Sequence, residues 1–510
     1  MWQKFTLYDF RVIAHYLGVL VLFLAVAQCV PFVVACLVGE WSAASRYLLG
    51  VGIALIVGSL LRMCLVQPGK LSPKHALAVT GFAWLVLTLL GSVPMALSGH
   101  FGSYLDAVFE CMSAWTTTGA SVAQDINHMA IADNMWRFTM QCIGGQGVVV
   151  IALSLGLFGR AVDSSLYSSE GRSEHVIPNI MQTARFIVRF SAAFIIIGTV
   201  VLSLLCFFIG MEPLRAFFNG LWLSVASFNT GGMTSMSPGI LYYHSGLIEL
   251  VVMVLILLGS INFTLHSEVW KGRIDHFFKD IEIRTLAIWL SIVVAAFVAA
   301  LCTANLYDEL PTLLRRGVFT VVAAFSSTGF QTISVNQMTT VVSSGALLII
   351  VFCMAIGGSA GSTTGGIKVM RVGILAKELV AYIKDLLAPA SARQVVTYYH
   401  VGRRPLSTDL VRANLAVFML YGIMFLVTTI ATVAYGYDAA TSLFESVSMV
   451  SNIGMSSGII QPGMPDMLKL LYIFDMWAGR LEYVTLIALL VSIVASFKPR
   501  RRNRRVREDS

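Results

Sequence analysis

The chain has 510 residues, of which 57% are hydrophobic and 12% charged, and it carries a formal net charge of +8. Soluble domains hold roughly twice that share of charge, and apolar runs long enough to cross ~30 Å of hydrocarbon recur from end to end. A string of soluble domains is therefore excluded, and the chain is predicted to be an all-α polytopic membrane protein.

Hydropathy predicts spans near 11–37, 45–66, 74–97, 136–158, 185–210, 244–266, 284–306, 343–366, 410–435 and 468–497. The first apolar run is too long for a signal-peptide core and lacks an A-x-A cleavage site, so it is expected to stay as a span. Eight cysteines stand singly in apolar segments without metal-site or disulfide spacing, and they are read as small hydrophobes.

Lys and Arg fall unevenly between these spans. Both termini and the even-numbered connections hold 28 of the 35, which is the positive-inside signature and predicts cytoplasmic termini. The basic tail, residues 498–510, is explained by topology and lipid headgroups better than by nucleic acid.

After the third span comes YLDAVFECMSAWTTTGASV, residues 104–122, which is too polar for a span and too apolar for a solvated loop. MEPLRAFFNGLWLSVASFNTGGMTS, ELPTLLRRGVFTVVAAFSSTGFQTIS and YDAATSLFESVSMVSNIGMSSG repeat the design after spans five, seven and nine. Each starts with an acidic residue or proline, continues as an amphipathic helix, and closes on a hydroxyl or amide cluster and a glycine. Those glycines, Gly119, Gly231, Gly329 and Gly454, are spaced 112, 98 and 125 residues apart.

The expected organisation is a leading pair of spans (1–70), four span, re-entrant helix, span modules (71–160, 184–272, 283–385 and 409–497) and a cytoplasmic connection (386–408). A single such glycine could simply cap a buried helix. Four in equivalent places fit backbone lining a watery path, with carbonyls replacing the hydration shell of a monovalent cation.

The third module contains GGSAGSTTGGIK, residues 357–368. A phosphate-binding loop needs Lys directly after Gly and a hydroxyl directly after Lys, between a strand and a helix. Here Ile367 and Val369 flank Lys368 and the neighbours are membrane spans. The glycines instead predict a break in this span, whereas the returning spans of modules one, two and four are expected to be continuous apolar helix. Close packing on small residues is the alternative.

Arg480, well inside the last span, needs a partner or water. Glu110 and Glu445 are candidate partners. Lys368 is expected at the cytoplasmic mouth or as a topology anchor. No HExxH, CxxC or Ser/His/Asp constellation supports catalysis, so an enzyme is not expected. Residues 370–408 are basic and partly amphipathic, with strand-like alternation around QVVTYYHV.

FECMSAWTTTGASV, LLGSINFTLHSEVWKGR, FSSTGFQT, GGSAGSTTGGIKVMR and WAGRLEYVTLIALL together resemble the Trk/Ktr/HKT superfamily of potassium transporters, and within it the TrkH/TrkG-type uptake subunits of bacteria. The resemblance implies four pseudo-symmetric modules around one pore, with K+ as the transported ion and no organic cofactor on the chain. It implies a potassium filter at Thr117, Thr118 and Gly119; Asn229, Thr230 and Gly231; Ser327, Thr328 and Gly329; and Asn452, Ile453 and Gly454. It implies an intramembrane gate comprising Gly357, Gly358, Ser359, Gly361, Ser362, Thr363, Thr364, Gly365, Gly366 and Lys368, with Arg480 as a cation barrier in the pore. It further implies a bacterial inner-membrane homodimer with one pore per subunit and a TrkA-type cytosolic partner that senses NAD or ATP.

A secondary transporter for an organic solute is the rival reading. It requires discontinuous spans in paired inverted halves.

Overall fold

The computed structural model describes residues 5–65, 72–147, 150, 180–304, 307, 309–389 and 395–497. The leading pair is Leu7–Val38 and Trp41–Met63. These helices meet on glycines: Gly18 lies against the Gly58 carbonyl and the Arg62 backbone, where even a methyl group would lie 2.5 Å from Arg62 N. Glu40, between the two helices, accepts hydrogen bonds from the Ile131 and Ala132 amides at 2.8 and 2.9 Å and so caps the returning helix of module one.

Each module starts with an outer span: Pro73–Ala96 with a small break near Ser92, Ile180–Phe208, Ile281–Thr303 and Thr408–Ala434. A short pore helix follows in each: Tyr104–Trp115, Pro213–Phe228, Leu310–Phe325 and Ala439–Val450. At 12 to 16 residues these helices reach only part of the way through a bilayer. Ser103 and Asp438 cap two of them, and prolines open the other two. The polar starts read from the sequence thus serve as helix N-termini.

The return spans correct the sequence expectation. Module two's return is Gly246–Ser260 followed by Phe263–Trp270, bent by 98°, and module four's is Asp466–Arg480 followed by a helix from Val484, bent by 106°. Module three's helix Ser344–Ala355 stops at the predicted loop and resumes as Val369–Leu387. In module one, Ile131–Gln146 ends on Gly147 at φ 87°, and VVVIALSLGLF falls almost wholly outside the described residues.

Two returns expected to be continuous are therefore broken, for a packing reason. Gly144, Gly259 and Gly479 sit against the carbonyls of Trp115, Phe228 and Val450, at the ends of the pore helices. An added Cβ would lie 1.8, 1.9 and 2.3 Å from those oxygens, so the return helices touch the pore helices backbone to backbone just before they break.

Side chains stitch the modules into a closed ring. Arg137 donates to Thr234 O at 2.9 Å (one to two), and Arg315 pairs with Glu249 at 3.2 Å (three to two). Gln331 donates to Ser456 O at 3.0 Å (three to four), and Lys469 pairs with Asp106 at 2.5 Å (four to one). Beyond the core, a hairpin pairs Thr397–Tyr399 with Arg403–Pro405 in the connection between modules three and four, where the sequence alternates. The 498–510 tail lies outside the described residues.

Candidate functional site

Each pore helix ends in the same backbone turn. Thr117, Thr230, Ser327 and Asn452 hold φ of 55°, 49°, 57° and 55°, a left-handed conformation that costs a non-glycine residue about 1 kcal/mol or more. Two residues later Gly119, Gly232, Gly329 and Gly454 are also left-handed, at 91°, 64°, 79° and 79°. This shared register makes Thr230, Gly231 and Gly232 the counterparts of Thr117, Thr118 and Gly119. Aligning module two on Gly231 places it one residue early, and Asn229 belongs to the end of the pore helix.

The four glycines close a ring. An added Cβ on Gly119 would lie 2.3 Å from Gly231 O, on Gly232 1.6 Å from Thr328 O, on Gly329 1.8 Å from Ile453 O, and on Gly454 2.0 Å from Thr118 O. Each glycine therefore abuts the carbonyl of the middle residue in the next module, in the order one, two, three, four, one. No side chain fits at any of the four positions.

Side chains that the sequence did not assign to the ring hold it, among them Glu110 and Glu445, which were expected as partners of Arg480 instead. Ser113 and Ser448 each donate at 2.6 Å to the carbonyl after the module's glycine, Ala120 O and Met455 O. Gln141 donates to Gly231 O at 2.6 Å. Glu110 accepts from Val122 N at 3.1 Å and Arg137 Nε at 2.8 Å, while Glu445 accepts from Ser457 N and Oγ at 2.7 and 2.6 Å. Polar residues recurring on otherwise apolar pore helices were the available signal, since buried polar groups need partners.

A cavity of about 270 Å³ on one side of the ring is lined by Gly119, Gly232, Gly329 and Gly454. On the other side lies the 356–368 loop, pinned at its ends by parallel pairing of Ile356 with Ile367 and of Gly357 with Lys368. Thr363 Oγ1 lies 2.9 Å from Thr230 Oγ1 and donates to Gly259 O at 3.0 Å, and Ser359 N donates to Ser260 O at 3.0 Å. Gly365 packs on Ser451 O. The loop thus touches module two at its break and module four at the end of its pore helix, beneath the ring.

Only about 40 Å³ of open space remains in the polar cavity bordered by Gly361, Ser362, Gly366, Lys368 and Arg480, room for about one water. Lys368 is buried and donates back to Thr364 O, so it closes the loop on itself and is not an exposed anchor.

Arg480 ends the helix before module four's break. Its guanidinium donates to Thr363 O at 2.9 Å, Gly144 O at 2.6 Å and Thr117 Oγ1 at 3.3 Å, and it lies over the Trp84 ring at 5.8 Å. These contacts tie it to the loop, to the end of module one's return helix and to the first ring segment. The expected alternatives, Glu110 and Glu445, are engaged by Arg137 and Ser457. Glu482 pairs with Arg371 on the helix after the loop.

Glu282 is a further residue that sequence reasoning missed. Fully buried, it accepts from the loop amide of Ala360 at 2.7 Å and from Asn262 Nδ2 in module two's break at 3.3 Å. Beside it Asp280 accepts from His400 Nδ1 at 3.0 Å and from the Val401 amide at 3.2 Å in the hairpin turn. Asp280, Glu282 and His400 lie close enough to chelate a cation, but their oxygens and ring nitrogen already satisfy one another and the backbone.

Four re-entrant segments closed around one axis, with a polar loop under them inside a bundle of apolar spans, define a membrane transport protein; this is not an enzyme. The chain belongs to the TrkH family, described as cation transport proteins, which matches residues 45–498. It is 30% identical to an uncharacterized cation transporter of Methanocaldococcus jannaschii, over 96% of this chain and 97% of the relative. It is 27% identical to the Trk system potassium uptake protein TrkH of Escherichia coli, over 94% and 98%. The crystal structure of the potassium transporter TrkH from Vibrio parahaemolyticus superposes with a TM-score of 0.80 at 25% identity, covering 94% of this chain and 98% of that one.

Proposed function

We propose that this chain takes up potassium across the bacterial inner membrane, with both termini cytoplasmic. The supporting observation is the closed ring in which each module's glycine meets the next module's carbonyl. Such backbone stacks can replace the hydration shell of a dehydrated monovalent cation. Family membership and the potassium named for the relatives support K+ as that ion. The filter is Thr117–Gly119, Thr230–Gly232, Ser327–Gly329 and Asn452–Gly454. The 357–366 loop is the gate, and Arg480 is an electrostatic barrier that acts with it.

We read the described arrangement as the shut one, which the small space at the loop supports: about 40 Å³ against about 270 Å³ on the other side of the ring. Opening requires breaking the Thr363 and Arg480 contacts together. A homodimer with one pore per subunit and a TrkA-type cytosolic partner that senses NAD or ATP complete the reading. The Asp280 to Glu282 chain offers a route from the cytoplasmic hairpin to the gate.

The test is growth of a potassium-uptake-deficient bacterium at low external potassium, with the partner supplied. Expression of this chain is expected to restore growth, and Gly119→Ser to abolish it, since a Cβ there would meet Gly231 O at 2.3 Å. Failure of the wild-type chain to rescue would overturn the proposal.

A further inference from the structure

Away from the pore, the outer span of module three (Ile281–Thr303) and the helix after the gate (Val369–Leu387) diverge around a cavity of about 680 Å³. Its mouth carries Lys279, Arg284, Lys377 and Lys384, and no carboxylate lines it among the described residues. Of these cations, Lys279 meets Asp275 at 3.2 Å, while Arg284 Nε and Lys377 Nζ donate to the carbonyls of Phe278 and Thr397 at 3.0 and 3.2 Å. Backbone carbonyls leave two of these positive charges uncompensated.

The floor is apolar: Ile288, Ile292, Val372 and Val380 line it, and Ile288 and Ile292 are 63% and 57% exposed. From Arg284 to Ile292 the span rises about 12 Å at ~1.5 Å per residue. The cavity therefore runs from a cationic mouth to hydrocarbon depth along one helix. Partway down, Trp289 lines the cavity. Trp289 therefore stands at the level where headgroup gives way to chain, the depth at which tryptophan is enriched in membrane proteins.

We propose that this cavity binds an anionic phospholipid of the cytoplasmic leaflet, its phosphate among Arg284, Lys377 and Lys384, its ester region at the level of Trp289 and an acyl chain along Ile288 and Ile292. The placement in the cytoplasmic leaflet rests on the topology proposed above. A free anion would leave the apolar floor empty, and a soluble partner would have to enter hydrocarbon to fill it. The phosphate would bridge the outer span to the helix that begins at Val369, directly after gate residue Lys368, where Gly373 already packs on Thr285 with 2.6 Å between an added Cβ and Oγ1. The lipid thereby clamps the post-gate helix in the described, shut arrangement.

The test is native mass spectrometry of the delipidated full chain titrated with phosphatidylglycerol or phosphatidylcholine of the same acyl chains. This readout does not depend on transport and separates failure of the site from failure of the potassium reading. Phosphatidylglycerol is expected to bind at least tenfold tighter than phosphatidylcholine. Each headgroup charge is worth about a fivefold change, so Arg284→Gln with Lys384→Gln should weaken phosphatidylglycerol binding about 25-fold. Arg62→Gln with Arg412→Gln, away from the cavity, should change it less than twofold. The proposal is overturned if the Arg284/Lys384 pair binds within twofold of wild type, or if both lipids bind alike. Displacement of the lipid by millimolar inorganic phosphate, or a charge-dependent dimer that covers the cavity, would assign it to a free anion or a second copy and likewise overturn the proposal.

Discussion

Two glycines one residue apart separate the two registers for module two. At Gly232 an added Cβ would lie 1.6 Å from Thr328 O, which is backbone, and φ is 64°; at Gly231 it would meet only the end of the Gln141 side chain, at 2.6 Å. Gly232→Ala is therefore expected to abolish potassium-dependent growth, and Gly231→Ala to retain much of it. The opposite ranking would restore Gly231 to the ring position. Arg480 donates to Thr117 Oγ1 and to the carbonyls of Thr363, Gly144 and Gly145 around the axis, where as the proposed barrier its charge would oppose cations. A unit charge ~6 Å from the ion path contributes about 3 kcal/mol at an effective dielectric of ~20. Arg480→Ala should therefore raise rubidium influx into proteoliposomes tenfold or more without the cytosolic partner, and unchanged influx would leave the arginine a purely structural role. These residue choices were only half legible in the sequence. The TTTG, SSTG and SNIG strings show one glycine each, but NTGG offers two, and only the repeated left-handed turn distinguishes them.

At the scale of elements, pore helices and outer spans were legible because their burial pattern is written in hydropathy and in their caps. The broken returns were not, because a long hydropathy window averages across a bend of 98° or 106°. The trace was present in GGQG, GSIN and AGRLE, where a glycine needed for backbone contact with the pore helix stands just before the break. Gly259→Ala, with a Cβ 1.9 Å from Phe228 O, should cost about 1 to 3 kcal/mol through overpacking and lower the thermal midpoint of the purified protein. An unchanged midpoint would mean that the return helix shifts freely. The 356–368 loop, the proposed gate, is held by the Ala360 amide on Glu282 at 2.7 Å. Glu282→Gln exchanges a charge-assisted bond for a neutral one, a loss of about 1 kcal/mol. Partner-independent rubidium influx should rise about fivefold, and a fall would show that Glu282 favours the open loop.

For the whole molecule, the charge bias that set the predicted topology has a second layer. Arg46, Arg137, Arg315 and Lys469 stand on the side poor in cations, and each meets a carboxylate: Asp133, Glu110, Glu249 and Asp106. Position along the chain made them look like exceptions, whereas three-dimensional pairing makes three of them seams between or within modules and joins the fourth, Arg46, from the leading pair to module one. Broken returns in at least three modules also bear on the rival solute transporter, which requires discontinuous spans. That rival needs two inverted halves, whereas here all four modules run in one direction and close one ring. The central claim is that potassium crosses through this ring. Its most direct test is flux in proteoliposomes of the wild-type chain and of Gly329→Ala, whose Cβ would lie 1.8 Å from Ile453 O, with rubidium and sodium compared at equal concentration. Wild type is expected to pass rubidium in clear preference to sodium, and the variant to lose either the flux or the preference. Selective rubidium flux undiminished in Gly329→Ala would contradict the account.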